Sequence, residues 1–227
     1  MNTSALRLAL VALLGLTTLQ AQTPPAPAAP TAPVATPPAD APASLIPGHK
    51  GVPYLGKPHA IPGRIEAEDF DLGGEGVGYH DRTTKNQGLG YRPDGAPGIK
   101  GMTVPPGKKP WYKSNDGTPT IGWFFVGEWL HYTVDVKPGL YDIKLRIATP
   151  MHSKAFNIYL DKKLIAYIEV PNTGEYSEWV TVHQRAVKVT KEGLAVLKIQ
   201  AGGMDLDECD LNWIEFVPAN PMYINFL

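Results

Sequence analysis

Glu66 and Glu68 are the two side chains whose spacing most directly suggests chemistry. They lie in Arg64-Ile65-Glu66-Ala67-Glu68-Asp69-Phe70, which reads as a strand, and a period of two places both carboxylates on one face. Two like charges that close repel each other unless a cation or an arginine neutralises them. A hard cation with oxygen ligands is the natural partner, and Ca²⁺ fits best; a solvated face of an edge strand is the alternative. A second acidic run, Asp205, Asp207, Glu208 and Asp210, reads either as a solvated loop or as a polar patch beside a site. Carboxylate pairs also hydrolyse glycosides when they stand about 5 to 10 Å apart across a cleft. Glu66 and Glu68 share one strand and suit a metal better. There is no Gly-x-Ser-x-Gly turn and no His-Glu-x-x-His pair, and the six His are scattered. No catalytic residue is assigned, and the chain is not expected to be an enzyme.

The elements that must position these groups read as strands. Leu130, Tyr132, Val134 and Val136 alternate with polar residues, as do Tyr141, Ile143, Leu145 and Ile147. Lys137-Pro138-Gly139 between them is expected to close a hairpin. Phe156 to Leu160 and Leu164 to Val170 form a second pair around Asp161-Lys162. Trp179 to Val189 and Leu194 to Ile199 form a third around Lys191-Glu192-Gly193, and Leu211 to Val217 is the last strand. Short strands at even spacing predict an all-β fold, an antiparallel β-sandwich of jelly-roll type, with a closed barrel as the alternative. Residues 93–120 break the pattern with six prolines and several glycines, and read as a long surface excursion.

Composition divides the 227 residues. Twelve of the 23 prolines precede Gly63, whereas only four of the 43 charged side chains do. Residues 1–21, with Arg7 and then an uncharged run from Leu8 to Leu16, read as a secretory signal cut after Ala21. Residues 22–60 read as a Pro/Ala-rich linker and lead-in, 61–218 as the folded module, and 219–227 as a short apolar tail. A secreted protein, extracellular or periplasmic, follows. Cys209, the single cysteine, is expected to be buried and inert. A net charge of −1 gives no footprint for nucleic acid. After signal removal no apolar run is long enough for membrane insertion, and a monomer is expected.

Six motifs then occur in an informative order. They are Arg64 to Phe70; Gly78-Tyr79-His80-Asp81; Ile121-Gly122-Trp123; Gly127-Glu128-Trp129-Leu130-His131-Tyr132-Thr133-Val134; Pro171-Asn172-Thr173-Gly174; and Asp210-Leu211-Asn212-Trp213-Ile214-Glu215-Phe216. In this order they resemble the family 6 carbohydrate-binding modules, from about Ile61 to Val217. The excursion is longer than that family leads one to expect.

The resemblance implies a structural Ca²⁺ near the paired first and last strands, with Glu66, Glu68 and Asn212 as the matching ligands. It also implies a cleft at the loop end where two aromatic rings clamp a polysaccharide or oligosaccharide. Pyranose C–H faces stack on flat apolar rings, and planar polar side chains bond vicinal hydroxyls. By motif, Trp123 is one clamp, with a core position beside Phe124 and Phe125 as the alternative. Tyr176 is the second clamp, or else a plain surface tyrosine. Asp210 stands where an Asn is usual. A carboxylate accepts hydrogen bonds but cannot donate, so a negative cleft at Asp210 would disfavour acidic glycans and could favour neutral or basic sugars; Asp210 could instead mark a lost site or bind a second cation. Trp129 and Tyr91 complete the candidate sugar contacts, although Trp129, with Trp179 and Trp213, is first expected in the core. Trp111 and Tyr112 either extend the platform or pack under their own loop. The leading expectation is a non-catalytic carbohydrate-binding module. A structural or adhesion domain without sugar affinity, and a glycoside hydrolase, are the alternatives.

Overall fold

A computed structural model describes residues 44–83, 91–92, 97–104, 106–152, 154–203 and 208–220. The signal segment, most of the linker, Asp205, Asp207 and nearly all of the C-terminal tail lie outside the described residues. Twelve strands are seen: β1 (His59–Ile61), β2 (Gly63–Glu66), β3 (Tyr79–His80), β4 (Ile99–Lys100), β5 (Thr120–Phe125), β6 (Trp129–Val136), β7 (Gly139–Ala148), β8 (Lys154–Leu160), β9 (Lys163–Val170), β10 (Val180–Val189), β11 (Gly193–Gly203) and β12 (Glu208–Pro218). They form two six-stranded sheets. One runs β1-β6-β11-β8-β9, with β3 also on β6; the other runs β10-β7-β12-β5-β4, with β2 also on β12. Every pairing between strands is antiparallel except β1 with β6. The expected all-β sandwich is what forms.

The alternation read from the sequence builds the core. Leu130, Tyr132, Val134 and Val136 of β6 and Leu197 and Ile199 of β11 face Ile143, Leu145 and Ile147 of β7 and Ile214 and Phe216 of β12, all buried. Each such side chain contributes about 1.5–3 kcal/mol by leaving water. Cys209 is buried among them.

Connectivity departs from expectation at two turns. Lys137-Pro138-Gly139 does not close a hairpin, because β6 and β7 lie in different sheets. The edges of β6 are taken by β11 and by β1 and β3, and those of β7 by β10 and β12. The turn therefore carries the chain across the sandwich. The turn between β10 and β11 does the same, whereas Asp161-Lys162 does join the paired β8 and β9. The three strand tryptophans are also not core. Trp129, Trp179 and Trp213 are only partly covered, because the inward places of β6 and β12 belong to their aliphatic neighbours. Trp213 instead carries the Arg64 guanidinium over its ring at 4.1 Å.

The lead-in is built into the fold. Val52 and Leu72 exchange backbone hydrogen bonds of 3.1 and 2.7 Å. His49 Nε2 lies 2.9 Å from Asp71 Oδ2. The buried Asp71 carboxylate also accepts 2.8 Å bonds from the Thr133 backbone N–H and Oγ1. Buried Arg92 stacks on Phe70 at 3.8 Å and Tyr54 at 4.3 Å and donates to the carbonyls of Glu68 and Phe70. Asp71→Ala would leave the Thr133 donors buried without an acceptor. The expected loss is about 2–4 kcal/mol in urea unfolding, against less than about 0.5 kcal/mol for Leu164→Ala on the exposed face.

Candidate functional site

Trp123 is turned out of the sheet by a local irregularity. The β5–β12 register slips between the pairs Phe124–Cys209 and Ile121–Leu211. Trp123 itself has φ = 53°, a left-handed conformation that costs a bulky residue on the order of 1–3 kcal/mol. A bulge of this kind re-aims a side chain. Here the indole leaves the strand alternation and lines an open cleft of about 630 Å³. Tyr112 of the excursion supports it, ring centre to ring centre at 5.1 Å.

Beneath the two candidate clamps lies an ion pair. Lys100 and Asp210 are both buried, with Nζ 2.5 Å from Oδ2. The same Nζ lies 4.9 Å from the Trp123 ring centre and 5.0 Å from that of Tyr176. Burial pushes the Asp210 carboxyl up to about 6, and Lys100 opposes that shift. Gly122 makes the approach possible: a Cβ there would fall 2.5 Å from the Lys100 side chain. Asp210 therefore does not face the cleft as a bare negative charge. Lys100 cancels it.

Tyr176 comes from the loop before β10. Asn172 Oδ1 accepts the Gly174 N–H at 2.6 Å, a local turn that the left-handed Gly174 completes. Thr173 ties this turn to Thr149 at the end of β7, bonding both its N–H and its carbonyl. The Pro-Asn-Thr-Gly motif thus anchors the loop and sets Tyr176 on the cleft. The Tyr176 hydroxyl donates to Glu208 Oε1 at 2.6 Å; burial, then that carboxylate, hold the phenol well above its usual range.

The excursion forms much of the remaining lining. Pro110, Trp111, Lys113 and Asn115 line the cleft beside Lys100, and Trp111 is 56% exposed. The two readings of Trp111 and Tyr112 are thus divided: Trp111 extends the platform and Tyr112 packs under it. The end of the excursion is firmly held. Asp116 accepts two 2.9 Å bonds from Arg146 and one of 2.8 Å from Asn212 Nδ2. Burial alone would raise the Asp116 carboxyl, but Arg146 and Asn212 keep it below its ordinary range. Asn115 accepts the Trp179 indole N–H at 2.7 Å.

Two expected sugar contacts lie elsewhere. Trp129 stacks on His131 at 4.2 Å on the other sheet, beside His80 and Lys198. Tyr91 packs against the core and donates its hydroxyl to Asp69 at 2.6 Å. Neither lines the cleft, and Asp210, the third, is buried beneath it and does not line it.

The carboxylates first read as one strand face belong to two local structures. β2 ends at Glu66, and Ala67–Asp69 form a 3₁₀ turn. The turn is pinned by Tyr132, whose hydroxyl donates to the Ala67 carbonyl at 2.8 Å. Glu66 pairs in register with Trp213, next to Asn212. Glu66 Oε2 and Glu68 Oε2 are buried with no hydrogen-bond partner. Burial raises both carboxyls, that of Glu68 to about 8. Orphaned carboxylate oxygens of this kind fit a hard cation. Among the described residues no three His, Cys, Asp or Glu gather at one point, so Asn212 and backbone oxygens would have to complete the shell. Asn212 Oδ1 already accepts the Thr118 hydroxyl at 2.8 Å, but an amide oxygen has a second lone pair. Glu128, also raised to about 8 by burial, accepts the backbone N–H groups of Arg82 and Phe125 and is a structural brace.

Lys100, Lys113, Asn115 and Glu175 were not legible as cleft residues, whereas Glu208 stood in the acidic run. A lysine buried against two rings has no signature in a single sequence, because its ion-pair partner is distant in the chain.

The cleft thus joins the rings of Trp111, Trp123 and Tyr176 to Lys113, Asn115, Glu175 and Glu208. Residues 107–218 match the family model Carbohydrate binding module (family 6), and over this stretch the chain belongs to that family. Solved structures similar to the chain include a family 6 module from Clostridium stercorarium in complex with cellobiose, at 17% identity and TM-score 0.50, covering 72% of this chain and 99% of that one. Another is a family 6 module from Clostridium cellulolyticum in complex with xylose, at 19% identity and TM-score 0.49, covering 70% and 99%. A third is the β-1,3-glucan-binding module from Bacillus halodurans, at 20% identity and TM-score 0.48, covering 70% and 98%. No curated protein matches the chain.

Asp210→Asn, which installs the residue usual in the family, should strand Lys100 without a counter-ion. The expected loss is about 3–5 kcal/mol in urea unfolding. Lys100→Met on that background should restore most of it.

Proposed function

We propose that the chain is a secreted, non-catalytic module that binds polysaccharide or oligosaccharide between Trp123 and Tyr176. The observation that carries this is the left-handed turn at Trp123, which places an indole on the cleft against the strand's own alternation. Local strain of this kind persists where function requires it. Tyr176 offers a second ring from an independently anchored loop. Glu175, Glu208 and Asn115 offer acceptors for sugar hydroxyls, and Lys113 offers donors. The family supports saccharide as the ligand class.

Trp123→Ala and Tyr176→Ala should each weaken glycan binding by about 1–3 kcal/mol, by analogy with base stacking on aromatic side chains. Affinity electrophoresis on a glycan panel measures this, and unfolding free energies in urea should stay within about 1 kcal/mol of the parent. Binding that survives both changes would remove the clamp. A reducing-sugar release that scales with protein concentration would overturn the non-catalytic assignment.

Ca²⁺ is the proposed structural cation, held by Glu66, Glu68 and Asn212. It would neutralise two buried carboxylates beside the β2–β12 pairing and brace that edge. The pH dependence follows from Glu68, whose carboxyl is raised from 4.5 to about 8. Without metal the fold favours its neutral form. That contribution is complete below the unfolded value and disappears as pH rises through the folded one. The melting temperature of EDTA-treated protein should therefore fall between about pH 5 and 8. Millimolar Ca²⁺ should raise it most at pH 8. Glu68→Gln should abolish the Ca²⁺ response, while Glu128 leaves a residual slope that Ca²⁺ does not change. A melting temperature indifferent to Ca²⁺ at pH 8 rejects the site.

A further inference from the structure

The charges around the cleft are not evenly distributed. Between Gly98 and Asn115 the sequence holds Lys100, Lys108, Lys109 and Lys113 and no Asp or Glu, in a chain whose net charge is −1. Lys100 lies at the base of the two rings with its charge matched by Asp210. Lys108 sits over Tyr112 at 4.7 Å. Lys113 lines the cleft, is exposed, and pairs with no carboxylate among the described residues. The acidic lining groups come with the other clamp: Glu175 precedes Tyr176 in sequence, and Glu208 is bonded to the Tyr176 hydroxyl. Asp116, near the end of the excursion, is matched by Arg146. Among the described residues that line the cleft, the lysines thus belong to the excursion and the open carboxylates to the Tyr176 side.

We propose that the cleft takes a saccharide bearing an anionic group, a ring carboxylate or a sulfate ester, and that Lys113 is the specificity-determining residue that reads it. This rests on the sugar-binding function proposed above. Lys100 is a positioning residue: by cancelling Asp210 it removes the negative charge that would repel such a ligand. An ammonium bonds carboxylate or sulfate oxygens more strongly than it bonds hydroxyls. Glu175 and Glu208 then accept from the hydroxyls at the opposite end of the sugar and disfavour the reversed orientation. Trp111, exposed beside Lys113, gives an adjoining sugar unit a further apolar face.

The test uses the full chain in affinity electrophoresis against polygalacturonate, a sulfated galactan and an unsubstituted neutral galactan, at pH 7 in low salt. At least one acidic polymer should bind about fivefold or more tightly than the neutral one, with affinity falling as salt is added. Lys113→Gln should lose about fivefold more on that acidic polymer than on the neutral one, and Lys113→Arg should retain the preference. Trp123→Ala should also weaken the acidic interaction, which separates the cleft from general ion exchange. Preference for polygalacturonate alone identifies a carboxylate as the anion, and for the galactan alone a sulfate. The proposal is overturned if the neutral polymer binds as tightly as both acidic ones, if Lys113→Gln changes nothing, or if acidic binding ignores Trp123→Ala. In the first two of these cases sugar binding itself stands. If no polymer of the three binds, this proposal falls, and the glycan panel above decides sugar binding separately.

Discussion

The loop end of this sandwich depends on one buried ion pair. Lys100 and Asp210 are 110 positions apart in the chain and 2.5 Å apart in space. Removing either charge from water is costly, so each is tolerated only because the other is present. That requirement draws β4 against β5 and sets the start of the excursion beneath the cleft. Tyr112 can then support Trp123 from the far arm of the same excursion. At its other end Asp116, gripped by Arg146 and Asn212, ties the excursion to β7 and β12. A proline-rich segment with little regular structure is thereby held by ion pairs at Lys100 and Asp116, with Ile99 beside Lys100 buried in the core.

The same pair explains why the cleft's character had to be seen in three dimensions. Read along the chain, Asp210 closes an acidic run, and the cleft looks negative. Its neutraliser lies two strands away in the same sheet, in a segment that reads only as loop. That Trp123 and Tyr176 share one cleft was legible because short motifs carry them, Ile-Gly before Trp123 and Pro-Asn-Thr-Gly before Tyr176. Those motifs encode local geometry: the bare Cα of Gly122 that admits Lys100, and the side-chain-closed turn at Asn172. Geometry of that kind is local, so a single sequence preserves it.

The fold was legible for a similar reason and to a similar depth. Alternation in β6, β7 and β12 correctly marks which residues face inward. It does not say which sheet a strand joins, because an inward face is equally inward on either side of the core. The turns after β6 and β10 therefore read as hairpins although they cross between layers. The tryptophans show the reverse error. Trp129 and Trp213 sit one place out of phase with their buried neighbours, and the alternation that marks Leu130 and Ile214 as core already assigns them to the outer faces. Average burial of a residue type is a weaker guide than its phase in a strand.

The clasp around Asp71 has a mechanical side. A chain drawn taut toward its N-terminus loads His49 first, then the Val52–Leu72 bridge, then Tyr54 against Arg92, and only afterwards β1. These contacts lie in series, each between the pull and the hydrogen bonds of the sheet. The segment entering the fold thus works as a strain relief, like the sleeve where a cable enters its housing. Tension is taken up in small, quickly remade contacts before it reaches the strands that shape the cleft.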